Sequence, residues 1–220
     1  MFKYAISLVL YFFLANNICF ADSNDKNDVR KTALPGTVAL TFDDGPNPTF
    51  TPQILAILKK YNIKATFFVV GANAQQYPDL IKMIHEQGHV VASHSQTHPM
   101  LTKLSGAKLE YEIAEPSRIV EKIIGIKPKC LRYPFGASNQ TVRDVIRQNG
   151  MTPTPMGFNS FDYDRPGTQK IVSQVLDHVY AKEVILMHDG FAKREETVEA
   201  LPQIIEGIQK KGLGFSTVCG

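Results

Sequence analysis

Apolar residues recur along this chain with two alternating periods. Short continuous runs occupy 38–42, 65–70, 89–92, 130–133 and 183–187, with an extended stretch at 151–158 and a last run at 214–218. Runs such as Val-Ala-Leu-Thr-Phe and Ala-Thr-Phe-Phe-Val-Val are short and rich in β-branched and aromatic residues, which predicts buried strands. Between them, apolar residues three and four apart predict helices over 51–61, 79–87, 109–124, 140–148, 169–180 and 195–211. Gly71 is read as the end of the second strand, Gly88 and Gly150 as helix stops, and Pro116 as a kink or a break between two shorter helices. Strands alternating with helices over short connections imply an α/β fold with a parallel sheet and crossover helices. About seven such units could close into a barrel or stay open, and the pattern alone does not choose.

The beginning of the chain departs from this pattern. A short basic start, Met1-Phe2-Lys3, leads into an apolar run over 4–14, and the small residue Ala21 precedes a polar segment. This predicts a cleavable secretory signal over 1–21, cut after Ala21, and hence a secreted or periplasmic protein. The apolar run is short for a membrane span. Residues 22–34 are polar and read as a lead into one domain over 35–220. Export leaves Cys130 and Cys219 in an oxidising compartment, where pairing depends on a distance that spacing does not supply. The formal net charge of +3 is ordinary, and no basic tract interleaved with aromatics points to nucleic acid.

The first strand stops on Asp43-Asp44-Gly45-Pro46. Successive strand side chains face opposite ways, so the two carboxylates have different jobs unless the backbone bends there. One can face a metal while the other faces a substrate or a water. After the third strand come His94 and His98, four residues apart and near enough to share one ion in a helix or a tight loop. Their position on the rim that should also carry Asp43 and Asp44 suggests a ligand set of two imidazoles and a carboxylate. Such a set suits Zn2+, with Co2+, Ni2+ or Mn2+ as substitutes. The pair His85 and His89 has the same spacing but is separated by Gly88, so His85 is read as a solvated helix residue and His89 as the start of a strand.

Thr41-Phe42-Asp43-Asp44-Gly45-Pro46 together with His94-Ser95-Gln96-Thr97-His98 resembles the first two motifs of the NodB-type polysaccharide deacetylases, carbohydrate esterase family 4. The resemblance continues through Arg132-Tyr133-Pro134-Phe135-Gly136, Asp162-Tyr163-Asp164-Arg165-Pro166-Gly167 and Leu186-Met187-His188-Asp189, and spans 35–220. It implies a distorted (β/α) barrel of about seven parallel strands with outer helices. It also implies metal-assisted removal of acetyl groups from an acetylated polysaccharide or oligosaccharide. Carried over position by position, Asp43 is the general base, Asp44, His94 and His98 are the metal ligands, and Arg132 pairs with Asp43. His188 is the general acid and Asp162 orients it. The backbone N–H of Phe135 faces the oxyanion, while Phe135, Tyr163 and Leu186 are the substrate contacts.

Three departures from the family pattern stand out. Phe135 replaces the usual tyrosine, Tyr163 the usual tryptophan, and Asn159 an aspartate, so the groove wall is altered. Asp189, Asp164 and His178 are left as structural or surface groups. The resemblance favours N-acetylated glycans such as peptidoglycan, chitin-like oligomers or poly-N-acetylglucosamine. An O-acetyl esterase on xylan-type polysaccharide, or a glycan-binding protein without turnover, would carry similar residues.

Overall fold

The computed structural model describes residues 32–220. The signal at 1–21 and most of the polar lead fall outside the described residues. Ala33, two residues before the expected start of the domain, is already buried against Val218 and Cys219.

Among the described residues, eight strands and seven α-helices follow in chain order: β1 (Thr37–Asp43), α1 (Phe50–Lys60), β2 (Thr66–Val69), α2 (Gly71–Gln76), α3 (Pro78–Glu86), β3 (Val90–Ser93), α4 (Gly106–Ile124) and β4 (Cys130–Arg132). The chain continues with α5 (Gln140–Gln148), β5 (Thr152–Thr154), β6 (Phe158–Asn159), α6 (Thr168–His178), β7 (Val184–His188), α7 (Glu195–Lys210) and β8 (Gly214–Phe215). Strand order is β5-β4-β3-β2-β1-β7-β6, every pairing is parallel, and β8 adds to the start of β1. The path begins at β5 and ends at β6, which do not pair. The result is a curled half-barrel with surrounding helices, the distorted (β/α) barrel expected.

Alternation along β1 separates its two faces. Val38, Leu40 and Phe42 join the main core beneath α1, α6 and α7. Ala39, Thr41 and Asp43 face the other way, into the curl, where the neighbouring side chains are Phe68, Ala92 and the Cys130–Cys219 disulfide. The strand pattern thus leaves only inward positions for polar groups. Register then sets their level: Asp43 lies opposite Phe68 on β2 and His188 on β7, and Ser93 lies opposite Leu131 on β4.

Several local expectations are corrected. Pro116 does not split its helix; α4 runs unbroken from Gly106 to Ile124 with Pro116 buried in it. Gly71 does not merely end β2 but opens α2, and the 151–158 stretch divides into β5 and β6. The last strand is only Gly214–Phe215.

His89 is not simply the start of a strand. Its Nδ1 accepts a hydrogen bond from the Ala65 N–H at 3.1 Å, and burial, aided by the Lys64 charge, lowers its pKa to about 4. Protonation would sever that bond. A pKa depressed on folding means that the unfolded chain binds the extra proton first. This stabilising contribution is therefore complete above the ordinary pKa near 6.5 and is lost as pH falls through about 4. Urea unfolding at pH 7 and pH 4.5 is expected to show a smaller drop in midpoint for His89→Asn than for the wild type; equal drops would remove His89 from the acid response.

Candidate active site

The end of β1 turns sharply. Asp44 adopts φ 75, so its carboxylate swings back toward the side that Asp43 already faces. Both carboxylates then lie near the His94 ring: Nε2 is 3.7 Å from Asp43 Oδ2 and 3.5 Å from Asp44 Oδ1. The turn is clamped from two sides. Val70 N–H donates to Gly45 O (2.9 Å), Asn73 Nδ2 donates to Asp44 O (2.8 Å), and Asp189 N–H donates to Asp43 O (3.1 Å).

Asp189, left as a structural or surface group from sequence, is buried. Its Oδ2 accepts the Thr51 hydroxyl at 2.5 Å, and its carboxylate packs where a side chain on Gly45 would stand. Burial raises its pKa to about 7, offset in part by the Thr51 hydrogen bond. The same turn therefore requires glycine at 45 because the β7 end leans on it.

His94 and His98 sit in a wound loop, with Ser95 and His98 at φ 67 and 62. The first turn of α2 binds this loop: Gly71 N–H donates to Ser95 O and Ala72 N–H to Gln96 O, both at 2.9 Å. Those bonds satisfy helix N–H groups that have no partner inside the helix. Gly71 is glycine because any side chain there would strike Gln96. Glu112, buried on α4, holds the far side of the loop by accepting from Thr97 N–H (2.8 Å), Thr97 Oγ1 (2.7 Å) and Gln96 N–H (3.0 Å). Sequence reading missed Glu112. Its signal was a carboxylate on the apolar stripe Leu109, Glu112, Ile113, Pro116, where solvent was not available to it.

His94 Nδ1 is 2.8 Å from the Arg132 carbonyl, which only accepts, so Nδ1 carries the proton and Nε2 presents its lone pair. Burial lowers the pKa of both His94 and His98, helped at His98 by the neighbouring His94 imidazole, which disfavours a second proton beside it, and this favours the neutral rings. Asp44 Oδ1, 3.3 Å from His98 Nε2, is buried with no hydrogen-bond donor. Burial and the Asp43 charge raise the Asp44 pKa, against the pull of His188, His98 and Arg194. Three ligand atoms, one each from Asp44, His94 and His98, lie within 4.8 Å of one another. Neutral imidazoles facing an orphaned carboxylate oxygen fit a divalent cation: its charge would relieve the paired carboxylates, and its coordination would satisfy the orphan.

Arg132 is fully buried. Its Nη1 donates to Asp43 Oδ1 (2.7 Å) and Thr41 Oγ1 (2.8 Å), and its guanidinium stacks 3.9 Å from the Phe68 ring centroid. Burial opposes its charge and Asp43 supports it. On β7, His188 Nδ1 lies 2.7 Å from Asp162 Oδ1. Asp162 Oδ2 accepts the His188 N–H (2.9 Å) and the hydroxyl of Thr197 (2.7 Å), a second residue that sequence reading missed. Burial works against charging His188, but the Asp162 hydrogen bond and charge outweigh it, with Asp43 and Asp44 adding, and its pKa is raised. The same contacts lower Asp162, overcoming its burial. Asp43 and His188 thus stand side by side across the β1–β7 ladder, one neutralised by Arg132 and the other charged by Asp162.

Asp43, Asp44, His94, His98 and His188 line a cavity of about 520 Å³ together with Tyr133, Phe135, Met156, Asn159, Tyr163, Leu186 and Phe191. Phe135 and Tyr163 are exposed at its wall, and Leu186 is both a buried strand residue and a lining group. All sequence-predicted site residues except Arg132 and Asp162 reach the cavity, and those two support residues that do.

A family model described as polysaccharide deacetylase matches residues 30–154. The chain belongs to the polysaccharide deacetylase family. A peptidoglycan-N-acetylglucosamine deacetylase of Bacillus cereus is 34% identical over 183 residues, covering 82% of this chain and 85% of the relative. A chitooligosaccharide deacetylase of Bradyrhizobium sp. is 34% identical over 205 residues, covering 88% and 92%. Among solved structures, the Bc1960 peptidoglycan N-acetylglucosamine deacetylase superposes with a TM-score of 0.80 at 33% identity, over 84% of this chain and 88% of that one. Of the five motifs that carry the resemblance, the second falls on the wound loop that Glu112 holds and the fifth on the β7 end that leans on Gly45.

Proposed function

We propose that this chain is an exported, metal-dependent hydrolase that removes N-acetyl groups from sugars of a polysaccharide or oligosaccharide such as peptidoglycan, a chitin-like oligomer or poly-N-acetylglucosamine. The observation that carries this reading is the orphaned Asp44 Oδ1 near the Nε2 atoms of both His94 and His98, with Asp43 and His188 side by side at the ends of β1 and β7 next to it. Zn2+ suits two imidazoles and one carboxylate, with Co2+, Ni2+ or Mn2+ as substitutes. When bound, the ion would polarise the acetyl carbonyl and acidify a water.

The chain's own residues supply the remaining steps. Asp43 takes a proton from the attacking water, held in place by Arg132. The Phe135 backbone N–H donates to the oxyanion that develops as the carbonyl is attacked. His188, its Nδ1 engaged by Asp162, presents Nε2 and protonates the departing amine as the C–N bond breaks. Leu186 and Tyr163 enclose the acetyl methyl on the same side.

Treatment with a chelator and return of Zn2+ should switch acetate release from a chitooligosaccharide off and on. Release that persists in chelator would remove the metal from this reading. Faster release from acetylxylan than from the chitooligosaccharide would turn the reading to an O-acetyl esterase. Export rests on the signal-like pattern of 1–21.

A further inference from the structure

Pro116 lies inside α4, where a proline weakens a helix in two ways. It has no N–H to donate, and its ring presses on the carbonyl four residues earlier. That carbonyl belongs to Glu112, the residue whose side chain holds the loop between His94 and His98. Glu112 and Pro116 are both buried, and a carbonyl left there without its helical donor needs another partner.

The loop supplies that partner. Gln96 N–H donates to Glu112 O and to Glu112 Oε2, each at 3.0 Å, so the backbone and the side chain of one residue grip a single amide. Thr97 adds its N–H and its hydroxyl to the same carboxylate at 2.8 and 2.7 Å. The Gln96 carbonyl in turn accepts the Ala72 N–H at 2.9 Å. Close packing joins these parts, because a side chain on Gly71 would strike both the buried Gln96 side chain and Pro116.

The residues gripped in this way lie between the two imidazoles. Ser95 and His98 hold left-handed backbone, at φ 67 and 62, a conformation that a free loop would leave. The direction in which the His98 ring faces Asp44, with Nε2 3.3 Å from Oδ1, therefore depends on what holds Gln96 and Thr97.

We propose that Pro116 and Glu112 are a positioning pair for the metal ligands. The proline withholds a helix hydrogen bond, which leaves the Glu112 carbonyl for Gln96, so that ion affinity rises while helix stability falls. Neither residue touches the ion or the substrate. This rests on the metal-site reading above.

The test frees the full chain of metal with a chelator and titrates it with Zn2+ in a calorimeter. Pro116→Ala returns an N–H that competes with Gln96 for the Glu112 carbonyl. The thermal midpoint of the metal-free protein should then rise, while Zn2+ should bind about fivefold more weakly, the worth of one hydrogen bond. The Gln96 amide should also exchange faster with deuterium. Glu112→Ala should weaken Zn2+ binding by about 10–100-fold, the range for groups that stand behind a ligand. Glu112→Gln keeps an acceptor for the two N–H groups and should recover most of that loss. Unchanged Zn2+ affinity in Pro116→Ala would make the proline a helix defect without bearing on the ligands, and would overturn the proposal. A lowered midpoint would assign Pro116 to packing alone, and equal losses in the two Glu112 variants would assign that residue to bulk; either result would overturn it too. A wild type that takes up no Zn2+ would sink the metal reading. The exchange of the Gln96 amide would then still decide on the dock, since exchange no faster in Pro116→Ala would overturn it.

Discussion

Asp43→Asn is expected to lower kcat/KM for acetate release by about 10²–10⁴-fold, the range that a positioned general base supplies, while metal content stays at the wild-type level. The amide keeps the shape of the carboxylate but cannot take a proton. Its effect should be almost entirely on turnover, because the atoms grouped to hold an ion belong to Asp44, His94 and His98 and not to Asp43. One structural side effect follows from Arg132, which is fully buried and donates to Asp43 at 2.7 Å. With a neutral partner the guanidinium remains buried without a counter-charge, so the thermal midpoint should also drop. His98→Ala is the contrasting variant: it should lose the metal as well as activity. Stoichiometric metal in His98→Ala would contradict its assignment as a ligand, and loss of metal from Asp43→Asn would make Asp43 a ligand rather than the base.

Asp162→Asn should act through pH. The Asp162 carboxylate outweighs burial and raises the His188 pKa, so His188 stays protonated to higher pH than an ordinary imidazole. Without that charge the His188 pKa falls, the acid form is lost at lower pH, and the alkaline limb of the kcat/KM profile moves toward acid. The plateau should fall as well, by about 10²–10⁴-fold, because an amide can turn the ring to the wrong tautomer and general-acid assistance is lost. The loss should be greatest where the leaving group is an amine, which departs poorly without a proton. An alkaline limb that does not move would show that His188 is not the group whose protonation governs the rate.

Much of this arrangement was legible in local pattern. Thr41 and Asp43 share a face by alternation, and both meet Arg132. The polar clusters followed the ends of strands, where a parallel sheet gathers them. Gly71 was legible only as the end of a strand, because glycine signals a strand end and a close approach equally well; its second role, opening α2 against Gln96, depends on the tertiary fold. The break allowed for at Pro116 does not occur because proline's preference against helix interiors is local, whereas burial of the α4 face against α2 and α3 is not. Asp189 stayed open between a structural and a surface group because nothing nearby in sequence announces that Thr51 will meet it, and burial against Thr51 decides for the structural one.

By itself, the sequence determined the alternation of strands and helices, the inward face of β1, the residue types of the ligand set and the family. Only the tertiary structure decided how they meet. Strand order set β7 beside β1 and so placed His188 opposite Asp43, and the curl of the sheet brought Arg132 to a carboxylate 89 residues away in the chain. Packing against Asp189 and Gly190 shaped the turn in which Asp44, at φ 75, points to the same cavity as its neighbour, and the approach of the chain end to β4 joined Cys130 to Cys219. Periodicity records which face of an element avoids water. It carries no distance between elements, and the chemistry of this site is a matter of distances between elements.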